Sequence, residues 1–136
     1  MDAMTQLLAT GAEVHAELDA LYGQYGLTTS AFNVLRVLRE QPEGQPRGRI
    51  AQRLFHRAPD VTRLIDRLER RGLVKRVRTR VDRRLSLTQI TAKGIELLAR
   101  IEPAVEEYRL AMANRLSPAE WKELSRLCDR LQSSDE

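Results

Sequence analysis

Thr62, Arg63, Arg67 and Arg70 fall outside the apolar stripe of a helix that carries Val61, Leu64, Ile65 and Leu68. A guanidinium is a planar fork of donors that pairs at two points with a phosphate or with the O6 and N7 edge of guanine. A second basic group follows, in which Arg80, Arg83 and Arg84 surround Asp82 between two runs of alternating apolar residues. Arginine at the tip of a narrow ribbon suits a DNA minor groove, where negative potential is enhanced, and Arg83 or Arg84 is the candidate. Phosphate would repel Asp82, so it either orients one of those arginines or forms the turn. A structural alternative pairs the helix arginines with Asp66 and Glu69 at helical spacing.

The charge distribution agrees with a polyanionic partner. The chain carries a net charge of +4, but Arg36 to Arg84 holds 16 basic against 6 acidic side chains, while the remainder is acidic on balance. Each phosphate neutralised by such a surface releases condensed counterions. An arginine-rich solvated surface would look similar on charge alone, since 20 of the 23 basic residues are arginine.

Elements that could position these groups follow from the pattern. Leu7, Val14 and Leu21, with Gly11, Leu18 and Tyr25 offset by four, draw a seam along a first helix that Gly26 can stop. Thr28 or Thr29 can cap a second helix with Ala31, Val34, Leu35 and Leu38 inward. Gln41-Pro-Glu-Gly-Gln-Pro46 is turn composition throughout. Arg49 to Phe55 predicts a short helix with Ile50, Ala51 and Leu54 inward, and Arg57-Ala58 a turn. The next helix starts at Ala58-Pro59-Asp60, with Pro59 suited to the first helical position and Asp60 to the positive end of the dipole, and Gly72 ends it. Leu73 to Ile90 alternates as a two-stranded ribbon whose tip lies around Arg80 to Arg83. Thr91 caps a long helix carrying Leu97, Ile101, Val105, Tyr108 and Met112, with Pro103 a place for a bend. Ser117-Pro118-Ala119-Glu120 has capping-box spacing ahead of Trp121, Leu124, Cys128 and Leu131. The fold class is therefore mostly α with a small β-wing, a winged helix-turn-helix flanked by terminal helices.

Taken together, Leu27-Thr28, Ile50-Ala51, Val61-Thr-Arg-Leu-Ile-Asp-Arg-Leu-Glu69, Arg71-Gly-Leu-Val74, Asp82-Arg-Arg84 and Ile90-Thr-Ala-Lys-Gly94 make the chain resemble the MarR family of bacterial transcription regulators over nearly its whole length. The resemblance implies one domain over 1–136, with 27–91 as the winged helix-turn-helix core and 1–26 and 92–136 as dimerisation helices. It implies an obligate homodimer on a palindromic double-stranded operator, Thr62, Arg63 and Arg67 in the major groove, Arg84 in the minor groove and Asp82 holding the wing. A small aromatic or anionic effector is a further partner it suggests. Two features depart from the family pattern. The serine that often precedes the recognition helix is replaced within Arg57-Ala58-Pro59-Asp60, so Asp60 either satisfies the helix start or accepts from a cytosine amino group. The terminal helices are also short.

Other residues invite sharper roles. Cys128 on an apolar stripe is read as an inert packed thiol ahead of a redox sensor. His15 is read as packing or surface ahead of an effector contact, and His56 as an exposed turn residue ahead of a phosphate contact. Trp121 and Tyr108 read as core or interface. No catalytic set, glycine-rich phosphate loop or metal-ligand spacing is present in the sequence, which excludes an enzyme and implies no cofactor. The absence of a secretory leader or long apolar run gives a cytoplasmic expectation and no membrane partner. Two rivals share the basic surface: a winged-helix protein-interaction module and a non-specific DNA-packaging protein.

Overall fold

The computed structural model describes residues 1–54, 60–79 and 86–132, and the chain divides into two compact units, Met1–Ile101 and Glu102–Glu136. The first holds α1 (Ala3–Gly23), α2 (Thr29–Glu40), β1 (Gln45–Pro46), α3 (Arg47–Arg53), α4 (Val61–Arg70), β2 (Val74–Arg78), β3 (Ser86–Ile90) and the start of α5 (Ala92–Ala113). The rest of α5 and α6 (Pro118–Gln132) form the second. The mostly helical chain with a small antiparallel sheet matches the expected fold class.

Helix α1 ends where Gly26 takes φ +76°, which lets its N–H donate to Gly23 and the Leu27 N–H donate to Tyr22. Thr28 then caps α2 by accepting from the Ala31 N–H at 3.1 Å. Asp19 reinforces this joint, accepting from both the backbone N–H and the hydroxyl of Thr29 at 3.0 Å. Those bonds, the backbone one foremost, hold its carboxyl below the usual carboxylate value.

Helix α2 is the centre of the core. Val34, Leu35, Val37 and Leu38 are sealed from solvent, and the helix touches α1, α3, α4 and β3. Phe32 stacks on Tyr22 with ring centroids 4.2 Å apart. Ile50, Ile65, Leu68, Leu73, Val74, Leu98 and Ile101 complete the buried set.

The sheet has three strands in the order β1-β3-β2, all antiparallel, where the sequence pattern predicts two. Gln45 and Pro46, read as turn, pair with Thr88 and Leu87. The pairing depends on distant contacts: the buried Gln45 amide donates to the Val37 carbonyl at 2.7 Å, and Gln89 donates to the Glu43 carbonyl at 2.8 Å. Gly44, at φ +108°, runs so close to β3 that a Cβ would lie 3.0 Å from Leu87 and Gln89. Pro46 sits at the sheet edge, where a strand tolerates a missing donor.

Helix α3 begins at Arg47, two residues earlier than expected, and buries only Ile50. Ala51 is exposed and Leu54 lies half-buried beyond the helix in extended conformation, because seven residues offer less than two turns and a single inward position.

In the second unit, Ser117 and Glu120 close the expected capping box, with Ser117 N–H to Glu120 at 2.9 Å and Glu120 N–H to Ser117 Oγ at 3.1 Å. The Trp121 indole donates to the Ala113 carbonyl at 2.9 Å, tying α6 to the end of α5. No residue of α6 is buried: Leu124, Leu127 and Leu131 are exposed and Cys128 is half-buried, contrary to the packed thiol expected of it.

Candidate nucleic-acid interface

Helix α4 divides its residues cleanly. Val61, Leu64, Ile65 and Leu68 are buried, and Thr62, Arg63, Arg67 and Arg70 are exposed. The structure thus brings the four helix candidates of the sequence reading onto the solvent side of one rigid element. Its start differs from expectation. Asp60 is the N-cap, accepting from the Arg63 N–H at 3.0 Å, and the helix runs from Val61, while Pro59, the expected first helical residue, lies outside the described residues. An aspartate side chain aligned with the first free amides does the work of a serine cap and adds negative charge at the positive end of the dipole. The C-terminal end closes as expected: Gly72 at φ +76° donates to Glu69 at 2.9 Å and Leu73 to Leu68 at 3.0 Å, so the chain turns straight into β2.

The acids of α4 do not serve the helix arginines. Asp66 and Glu69 both accept from Arg76 of β2, the latter at 2.9 Å. These contacts, led by the bond to Asp66, raise the basicity of the Arg76 guanidinium against the opposing effect of its partial burial. Arg76 clamps β2, and with it the base of the ribbon, to α4. Among the described residues no ion pair links Arg67 or Arg70 to an acid. Arg63 pairs through Nε with Asp60 at 3.1 Å while its side chain remains 81% exposed. Arg47, the first residue of α3, donates to the Thr62 hydroxyl at 2.7 Å.

Sequence reasoning missed Arg47 and Arg76. The strand alternation holds the signal for Arg76, which shares a sheet face with the buried Val74 two residues before it. Nothing local marks Arg47, which meets Thr62 only when the two helices fold together. The wing candidates Asp82, Arg83 and Arg84, and His56 with them, lie outside the described residues.

A model of the MarR family matches residues 25–85, from just after α1 to the residue before β3. The crystal structure of a MarR transcription factor from Planctomyces limnophilus is 38% identical, covers 93% of either chain and has a TM-score of 0.72. The chain belongs to the MarR family. The HTH-type transcriptional regulator PapX of Escherichia coli is 27% identical over 77% of this chain. S. aureus MepR, in the crystal structure of its DNA complex, shares the fold with a TM-score of 0.85 over 96% of each chain at 22% identity. The chain spans 54% to 66% of the length of PapX and two other curated regulators that it matches. These relatives in the family are transcription regulators, not enzymes. Among the described residues no helix is long and apolar enough to cross a membrane, and no cluster of three or more His, Cys, Asp or Glu could hold a metal ion.

Proposed function

We propose that this MarR-family chain is a sequence-specific transcription regulator, a repressor that binds a palindromic double-stranded operator as a homodimer. The observation that carries the reading is the division of α4. Its packing side is wholly apolar, its acids are drawn aside to Arg76, and Thr62, Arg63, Arg67 and Arg70 are left facing outward. In this reading those four enter a major groove, Arg83 or Arg84 enters the flanking minor groove, and Asp82 supports the wing. The whole chain acts as one regulatory domain, with 27–91 reading DNA. Exposed Met4, Leu7 and Leu8 on α1, and separately Leu124, Leu127 and Leu131 on α6, support the terminal helices as the dimer surface.

A cleft of about 370 Å³, lined in part by Tyr25, Leu97, the basic Arg71, Lys93 and Arg100 and the acidic Glu96, is the proposed place for an effector of anionic, aromatic character. Release of DNA on its binding completes the regulatory reading, and the site of action is the cytoplasm.

The test is selection of bound duplexes from a random pool with the purified chain, followed by affinity for the winner at two salt concentrations. The expected result is a palindrome whose half-sites lie about 10 base pairs apart, centre to centre, or a multiple of that. Roughly 6 to 10 phosphate contacts should make its affinity fall steeply with salt. Salt-sensitive binding without enrichment would favour DNA packaging, and no binding at all would point to a protein partner.

A further inference from the structure

Asp60 acts twice at the start of α4. Its Oδ1 accepts from the Arg63 N–H at 3.0 Å, and its Oδ2 lies 3.1 Å from the Arg63 side-chain Nε. Both members remain open to solvent, with side-chain exposures of 51% for Asp60 and 81% for Arg63. The pair therefore sits on the proposed reading face and not beneath it. An ion pair on the Nε side leaves the two terminal nitrogens to form the end-on fork that matches two acceptors side by side.

Within the regulator reading above, we propose that Asp60 is a specificity-determining positioning residue, which aims Arg63 at the O6 and N7 edge of one guanine in each operator half-site. An unrestrained arginine at this exposed position would lose rotamer freedom on docking and could turn to a phosphate as readily as to a base. With the Asp60 carboxylate in ion-pair range of Nε, the guanidinium is already biased in the free protein toward one approach. The carboxylate also brings negative charge toward a polyanion, so it lowers affinity for DNA in general. A residue that weakens every duplex while steering one arginine contributes to discrimination and not to grip. One carboxylate oxygen accepts from the Arg63 N–H and the other lies in ion-pair range of its Nε, which favours positioning over direct reading of a cytosine amino group by Asp60 itself.

The test compares wild type, Asp60→Asn, Arg63→Ala and the double variant on the selected duplex and on a set with each base pair of one half-site changed in turn. Asparagine keeps a side-chain acceptor for the helix start, and far-UV circular dichroism confirms that α4 is retained. Wild type should prefer guanine at one position by roughly tenfold or more, and Arg63→Ala should lose that preference. Asp60→Asn should lose most of the same preference at the same position, bind random duplex as tightly as wild type or more so, and add nothing further in the double variant. An unchanged base profile for Asp60→Asn would overturn the positioning role and leave Asp60 a helix cap. A changed preference at a position that Arg63→Ala leaves alone would overturn it in favour of direct reading. Failure of wild type to select any duplex would overturn the regulator reading itself, and this inference with it.

Discussion

The first unit and the second are built from the same kind of sequence, helices with an apolar stripe and clear caps, and they end differently. In Met1–Ile101 the stripe of α2 meets α1, α3 and α4, and Leu35, Leu38, Ile65, Leu68 and Leu98 lose all or nearly all contact with solvent. In Glu102–Glu136 the stripe of α6 meets nothing that buries it, and Leu131 stays 71% exposed. Amphipathic periodicity predicts a helix and a face. It does not say whether the partner for that face lies in the same chain. The first unit is stable through its own core, whereas α6 is held by its capping box and the Trp121 hydrogen bond and presents its leucines outward.

The sharpest way to break the contrast is to remove the same side chain from both. Leu35→Ala should cost about 2 to 5 kcal/mol of unfolding free energy, the range for a sealed core leucine. Leu131→Ala should leave the urea midpoint at low protein concentration nearly unchanged, yet shift a dimer towards monomer in analytical ultracentrifugation. Equal losses of stability would show that α6 is buried within its own chain.

A somewhat smaller effect is expected at Gly94, where a Cβ would come within 2.4 Å of the Leu73 carbonyl and 2.7 Å of an Ile90 side-chain carbon. Gly94→Ala should destabilise the first unit by about 1 to 3 kcal/mol, because the backbone of Leu73 has to move to admit it. Denaturant unfolding followed by circular dichroism measures this. Ser117→Ala removes the cap on α6 and should cost about 1 kcal/mol, read as fraying of that helix by hydrogen exchange while the amides of α2 keep their protection.

The smallest effect is set by pH. The Asp19 carboxyl is lowered by its bonds from Thr29, so its contribution is fully present above the unfolded-state value and is lost as pH falls through the folded one. Stability should therefore decline in wild type as pH falls below the ordinary aspartate value, about 4, and decline less in Asp19→Asn, a difference that solvent screening at this exposed group keeps small. An identical acid response in the two proteins would remove Asp19 from the joint between α1 and α2.

What the sequence reveals is whatever depends on neighbours along the chain. The caps at Thr28 and at Ser117 with Glu120, the left-handed Gly26 and Gly72, the apolar side of α4 and the alternation in β2 and β3 all rest on contacts a few residues apart, and all appear in the structure. The third strand escapes because Gln45 is chosen by partners on α2 and β3, against a local composition of turn residues. Ala51 was expected inward because a helical stripe was extended over a helix too short to have one. The candidate face follows the same division: its arginines are visible in the spacing of α4, whereas Arg47 on Thr62 and Arg76 across Asp66 and Glu69 are products of tertiary structure.

The Arg76 clamp has a consequence for how such a protein can diverge. The four buried side chains of α4, the Gly72 closure and the two acids held by Arg76 fix the helix without using the Arg67 or Arg70 side chains, whereas Thr62 meets Arg47 and Arg63 pairs with the capping Asp60. Substitutions at Arg67 and Arg70 can accumulate after a gene duplication with little loss of folding. In the proposed reading, two descendant copies could then part company over which promoters they recognise while remaining the same scaffold, and the address could be rewritten one outward side chain at a time.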